Sequence, residues 1–267
     1  MIRRFYPSNK ALMRMGAAVC LAAVAALAIG GHGTAEPAAA IVNENGPVIA
    51  LTFDDGPYPK VTGHILDVLE KNGVCATFFV LGSRIEGHED MLTRMDELGC
   101  EIGNHSFSHA DLTRLSKADC QRELSDTDAE IRRVTGHEAS VVRPPYGYYN
   151  KTVMSAAERP LILWTVDTND WRGKAPGEIA DYVIQQAKEG SVILMHDQQT
   201  QTADAMEMII PTLIEEGFRF EGGWPQAERR ILCLEPEYSY GENPIRCVRL
   251  QCRALPGAAL PAHKDYL

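Results

Sequence analysis

The chain has 267 residues, of which 45% are hydrophobic and 23% charged, values that leave no room for a collagen-like, low-complexity or disordered protein. Formal net charge is −10, but residues 1–35 carry four basic side chains (Arg3, Arg4, Lys10 and Arg14) and no acid, so the remainder holds 22 basic against 36 acidic groups, a net of −14. A chain that acidic repels phosphate backbones, which argues against a nucleic-acid partner.

The basic start is followed by a small-residue apolar run, residues 15–31 (MGAAVCLAAVAALAIGG), and then by HGTAEPAAA. Basic end, apolar core and small residues are the arrangement of a secretory signal, with cleavage expected after Ala35. The run is Ala- and Gly-rich and shorter than the about 20 strongly apolar residues that span a bilayer comfortably. Residues 1–35 therefore read as a signal peptide, or as an uncleaved N-terminal anchor, and residues 36–47 as a linker. Either way the protein is expected to be exported: secreted, periplasmic or associated with the cell wall.

From Val48 onward short apolar runs alternate with amphipathic stretches. VIALTF (48–53) reads as a buried strand, followed by a helix over 62–72 with Ile65, Leu66 and Leu69 on one face and Gly73 as its stop. ATFFVL (76–81) is the next strand, and Met91, Leu92, Met95 and Leu98 form a second helical stripe ended by Gly99. CEIGN (100–104) follows as a strand, and Ser116 opens a long helix that Gly136 ends. VVRP (141–144), LILWTV (161–166), SVILMH (191–196) and FRF (218–220) supply four more strands, with helices over 179–187 and 203–216. Repeated strand–helix alternation implies parallel strands joined by crossovers, so an α/β fold with seven parallel strands, as a barrel or an open sheet, is expected over residues 48–222. Residues 223–267 lose the alternation, gain Pro, Tyr and Cys, and read as a C-terminal extension rather than a second domain.

Six cysteines lie beyond the signal: Cys75, Cys100, Cys120, Cys233, Cys247 and Cys252. An even number in an oxidising compartment favours disulfides, the last three tying down the tail, while Cys75 and Cys100 read equally well as buried thiols.

In parallel α/β folds chemistry gathers at the C-terminal ends of strands. Five of the seven predicted strand ends deliver polar groups there: Asp54 and Asp55; His105 with His109; Arg143; Asp167, Asp170 and Trp171; His196 and Asp197. His105 and His109, spaced i and i+4, fall on one face of a helical turn and can share a metal ion, though that spacing is common in purely structural settings. Asp55 adds a third ligand, and two His plus a carboxylate leave coordination positions open for water and substrate. Asp54 then serves as base, unless DDGP is only turn chemistry. His196 is a candidate general acid or a satisfied core residue. Arg143, stiffened by Pro144 and Pro145, is placed to hold a carboxylate bidentately. Trp171 and Leu194 either wall a small apolar pocket or belong to the core.

TFDDGP (52–57), HSFSH (105–109), RPPYG (143–147), DTNDW (167–171) and ILMHD (193–197) occur in an order and spacing that resemble the polysaccharide deacetylases, the carbohydrate esterases (family 4) with a NodB homology domain. The resemblance covers about residues 47–221. It implies a distorted (β/α) barrel, and it makes Asp54 the general base and Asp55, His105 and His109 the ligands of one divalent ion, usually zinc. It also implies that Arg143 tethers Asp54 and that the backbone N–H of Tyr146 helps hold the oxyanion. Asp170 would tune His196, which protonates the leaving amine, and Trp171 and Leu194 would flank the acetyl methyl. The implied substrate is an N-acetylated polysaccharide, peptidoglycan or chitin oligomers; no protein partner is implied. An acetylxylan O-acetyl esterase uses the same constellation, and an inactive wall- or carbohydrate-binding protein is the rival of a different class. Loops 82–90, 147–151 and 198–202 are expected to carry the subsites.

Overall fold

The computed structural model describes residues 46–221. The expected signal (1–35), most of the linker and the cysteine tail with Cys233, Cys247 and Cys252 lie outside the described residues.

The described chain runs β1 (Val48–Asp54), α1 (Pro59–Asn72), β2 (Thr77–Val80), α2 (Glu89–Glu97), β3 (Glu101–Asn104), α3 (Lys117–Thr135), α4 (Lys151–Ala157), β4 (Val166–Asp167), α5 (Pro176–Gln186), β5 (Val192–His196), α6 (Thr200–Glu215) and β6 (Arg219–Phe220). All strand pairs are parallel, in the order β3-β2-β1-β5-β4, with β6 beside the start of β1. Helix boundaries follow local chemistry. Pro59 sits in the first turn of α1, where its missing N–H costs no hydrogen bond, and Gly73 ends the helix at φ 62°. Ser116 caps α3 by accepting from the backbone N–H of Asp119, and Gly136, at φ 84°, stops it.

Among the described residues the expected seven strands are six, and two of the seven segments differ. Residues 141–144 and the first part of 161–166 contribute only isolated parallel bridges, Asn104 to Val142 and Val142 to Leu161. Pro144, Pro145 and Pro160 have no N–H to donate, so neither segment can sustain a ladder. These bridges nevertheless close the sheet. The segment from Leu161 to Asp167 touches Val142 at its start and pairs with β5 at its end. The ring thus runs β1, β2, β3, residue 142, residues 161–167, β5 and back to β1, a distorted barrel. Helix α4 was not legible as periodicity; it is seven residues long and rests on Asn150, whose side chain accepts from Val153 N–H.

The largest apolar cluster joins alternate β1 residues Ile49, Leu51 and Phe53 to Ile65, Leu66 and Leu69 of α1 and to Met206, Ile209 and Ile210 of α6. Phe53 and Phe78 stack with centroids 5.2 Å apart. Each such side chain contributes roughly 1.5–3 kcal/mol by leaving water. With odd-numbered β1 residues turned to the helices, Thr52 and Asp54 face into the barrel. None of the described cysteines forms a disulfide. Burial pushes the Cys100 thiol up to about 12, and the Cys120 thiol donates to the Leu112 carbonyl at 3.1 Å.

Candidate active site

Strand register assembles the rim. Asp54 lies level with His196 across the β1–β5 pair, and Thr52 is level with Leu194, so Leu194 and His196 share the inward face with Thr52 and Asp54. Asn104 ends β3 beside Val142, which puts His105 and Arg143 next to each other.

Arg143 is completely buried and fills the weak part of the barrel wall. Its Nε donates to the Ile162 carbonyl at 3.1 Å and Nη2 to the Leu163 carbonyl at 3.0 Å, the backbone left without ladder partners. Nη1 donates to Thr52 Oγ1 at 2.8 Å and to Asp54 Oδ1 at 2.7 Å. The guanidinium holds Asp54 through one oxygen only, so the bidentate clamp expected from the sequence is not formed; it also serves the Thr52 hydroxyl and two backbone carbonyls. Burial pulls the Arg143 pKa down and the Asp54 charge opposes that pull. The ring of Phe79 lies 4.0 Å beneath the guanidinium carbon.

Asp55 turns away from the strand at φ 78° and brings Oδ1 to 3.5 Å from His105 Nε2 and 3.3 Å from His109 Nε2. The two histidines do not lie on a helical turn, as their spacing suggested. Residues 105–109 form a loop with Ser106 at φ 69° and His109 at φ 61°. That loop is tied down by side chains. Asn104 Oδ1 accepts from Ser106 N–H at 2.8 Å, Ser106 Oγ accepts from His109 N–H, and Glu123 of α3 accepts from the N–H groups of Phe107 and Ser108. Asn104 and Glu123 are functional supports that the sequence pattern did not single out, because their partners are backbone groups of a loop.

His105 Nδ1 lies 2.6 Å from the Arg143 carbonyl. A carbonyl only accepts, so Nδ1 carries the hydrogen and Nε2 offers its lone pair to the site. Asp55, His105 and His109 bring one ligand atom each within 4.8 Å of one another. Asp55 Oδ1 is buried and has no hydrogen-bond partner. Three converging ligand atoms around a buried carboxylate oxygen that lacks a hydrogen bond are satisfied by a cation, and the set fits a divalent ion such as zinc with open positions. Burial pushes Asp55 up, but the nearby His105, then His109, leave it below the ordinary carboxylate range. Burial and the His105 charge hold His109 below the usual histidine value, against the pull of Asp55.

His196 is the second ionisable centre. Its Nδ1 is 2.7 Å from Asp170 Oδ1, while Asp170 Oδ2 accepts from the His196 backbone N–H at 2.8 Å and from the Thr202 hydroxyl at 2.6 Å. Burial disfavours the imidazolium, but the Asp170 hydrogen bond and charge outweigh it and raise His196 to about 9. Asp170 itself is pushed up by burial and brought below its ordinary value by His196.

Tyr146 sits at φ 62° in the PPYG turn, with its ring half exposed, edge-on to His109 at 4.6 Å and 5.6 Å from the ring of Tyr148. The turn depends on Gly147. At φ 70° it packs against Trp164, where a Cβ would sit 2.8 Å from the indole. Trp171 stands half exposed on the rim beside Asp170, under the Arg172 guanidinium, whereas Leu194 is buried below His196. Asp197 is fully buried, has no cationic partner among the described residues, and is pushed up by burial to about 7.

A family model described as polysaccharide deacetylase matches residues 42–160. The peptidoglycan-N-acetylmuramic acid deacetylase PdaC of Bacillus subtilis is 44% identical over 67% of this chain and 38% of its own length. Its solved structure superimposes with a TM-score of 0.64, covering 66% of this chain and 87% of the solved one. The peptidoglycan-N-acetylglucosamine deacetylase PgdA of Listeria monocytogenes is 38% identical over 64% of this chain and 37% of its own. A chitooligosaccharide deacetylase of Sinorhizobium fredii is 34% identical over 64% of this chain and 88% of that protein. The chain thus spans under two fifths of the length of the first two relatives and most of the third.

Proposed function

The chain belongs to the polysaccharide deacetylase family, and from that membership we propose that it is a metal-dependent hydrolase removing N-acetyl groups from N-acetylglucosamine-containing polysaccharide, peptidoglycan or chitin oligomers, to give acetate and free amine. The observation that carries this reading is the pairing of two differently held acid–base groups, Asp54 on Arg143 and His196 on Asp170, around the Asp55–His105–His109 cluster.

Asp55, His105 and His109 would hold a divalent ion, which would supply Lewis-acid polarisation and a lowered pKa for water at neutral pH. Asp54, its Oδ1 tied to Arg143, uses its other oxygen, 3.6 Å from His105 Nε2, to take a proton from the attacking water. Tyr146 N–H donates to the acetamide oxygen as that atom gains charge. His196, kept protonated by Asp170, gives its proton to the departing nitrogen, so that an amine and not an amide anion leaves. Trp171 and Leu194 wall the space for the acetyl methyl. The basic-then-apolar segment 1–35 supports an exported location, where such polymers are found.

The test is acetate release from N-acetylglucosamine oligomers and from peptidoglycan with zinc, after chelation, and after zinc is restored. Release that stops and returns is the expected result. Release from acetylxylan alone makes the protein an O-acetyl esterase, and no release from any of the three by zinc-loaded protein overturns the reading.

A further inference from the structure

The metal-ligand turn is gripped from outside by the two residues that follow His196, neither of which has a part in the chemistry above. Asp197 N–H donates to the Asp54 carbonyl at 3.2 Å, and its carboxylate packs on Gly56, where any Cβ would collide with it. The same carboxylate accepts from the Thr62 hydroxyl at 2.6 Å, and Thr62 Oγ1 accepts from Tyr58 N–H at 2.7 Å. Asp197 therefore fastens the DDGP turn and the start of α1 to the end of β5.

Gln198 reaches the ligand itself. Its Nε2 donates to Asp55 Oδ2 at 3.3 Å, and its Oε1 accepts from the Tyr58 hydroxyl at 3.3 Å. The amide's orientation follows from its neighbours, since an ionised carboxylate accepts only and must face the NH₂ end. Tyr58 is in turn held by Arg84, whose guanidinium carbon lies 3.5 Å from the ring centroid. Asp55 thus has two unlike oxygens. Oδ1 faces both histidines without a hydrogen bond, and Oδ2 is occupied by an amide.

We propose that Gln198 is a positioning residue for the metal ligand Asp55. By occupying Oδ2 it presents Oδ1 as the single ligating oxygen, and Tyr58 fixes the amide for that task. This rests on the metal reading of the Asp55–His105–His109 cluster. Groups that orient a metal-ligating carboxylate typically govern affinity by 10–100-fold.

The experiment measures zinc affinity of the full chain, stripped of metal, by competition with a chromogenic chelator. It also records the visible spectrum of the cobalt(II)-loaded protein and the melting temperature of the metal-free protein. Gln198→Ala is expected to bind zinc about 10–100-fold more weakly, to change the cobalt spectrum, and to melt with wild type when metal-free. Tyr58→Phe is expected to move affinity in the same direction by less. Zinc affinity within twofold of wild type in Gln198→Ala overturns the proposal, as does a lowered metal-free melting temperature with affinity unchanged. Should Gln198→Ala fail to fold, Tyr58→Phe decides, and an unchanged affinity there overturns it. A wild-type chain that binds no zinc overturns the metal reading itself, a result distinguishable from equal affinities in wild type and variant.

Discussion

Asp170→Asn should uncouple His196 from its proton. The wild-type value of about 9, against an ordinary 6.5, corresponds to roughly 3 kcal/mol favouring the imidazolium. Asn has one acceptor where Asp has two, and Asp170 Oδ2 already faces two donors, the His196 N–H and the Thr202 hydroxyl. The Asn oxygen therefore belongs on that side, which turns its NH₂ toward His196 Nδ1. An NH₂ there demands a lone pair on Nδ1, so the ring is held neutral and burial is left to depress its pKa further. A bound cation lowers the histidine in both proteins, so the comparison is best made by NMR titration of the metal-free forms. The His196 midpoint should fall by at least two pH units, and zinc-loaded turnover at pH 7.5 by about 10²-fold or more, as for loss of a general acid. Stability follows the same sign. A raised folded-state pKa contributes stability that is complete below about 6.5 and lost as pH rises through about 9, so wild type should lose that increment across this window and Asp170→Asn should not. A His196 midpoint that is the same in both proteins refutes the reasoning.

Asp54→Asn should retain zinc and lose about 10²–10⁴-fold in turnover, because an amide accepts from Arg143 but takes no proton; steady-state rates within tenfold of wild type contradict the role of base. His105→Ala should lose both zinc, read by metal analysis after dialysis, and activity, whereas full activity in metal-free protein removes the metal from the mechanism. Arg143→Met should cost about 3–5 kcal/mol in urea unfolding, since it strands a buried Asp54 and removes the donors to the Ile162 and Leu163 carbonyls. A loss below about 1 kcal/mol would show that water or backbone shifts replace those bonds.

Much of the frame is readable from the residues because one rule governs each part. Apolar runs with β-branched and aromatic residues mark β1, β2 and β5, and Gly73 and Gly136 mark helix ends. The site residues are legible as strand-end polar groups. What is hidden depends on partners far along the chain. Arg143 looks like a rim residue until the Ile162 and Leu163 carbonyls, nearly twenty residues later, are seen to need its donors. The His105–His109 spacing suggests a helix, but Asn104 and Glu123 side chains impose a loop with two left-handed residues. Gln198 falls in a stretch that reads as a subsite loop, because nothing in the pattern indicates that it reaches back 143 residues to Asp55.

The four buried or half-buried carboxylates of this rim differ only in what faces them, and that difference allots their roles. Asp54 faces a guanidinium, which gives up no proton and occupies one carboxylate oxygen, so the other is left for a water. Asp55 faces two imidazole nitrogens and an amide; none neutralises Oδ1, and a cation is what completes it. Asp170 faces a group that can hold a proton and stabilises it there, which suits His196 to the proposed role of acid and not to that of a second base. Asp197 accepts from the Thr62 hydroxyl, no cation faces it among the described residues, and burial raises it to about 7. Exchanging partners would exchange roles. A lysine at 143 would bring three donors to the four acceptors that Arg143 serves, and a glutamine at 196 would keep Asp170 in place with no proton to deliver. In the proposed mechanism the base is therefore specified by Arg143 and the acid by Asp170, more than by the identity of Asp54 or His196 alone.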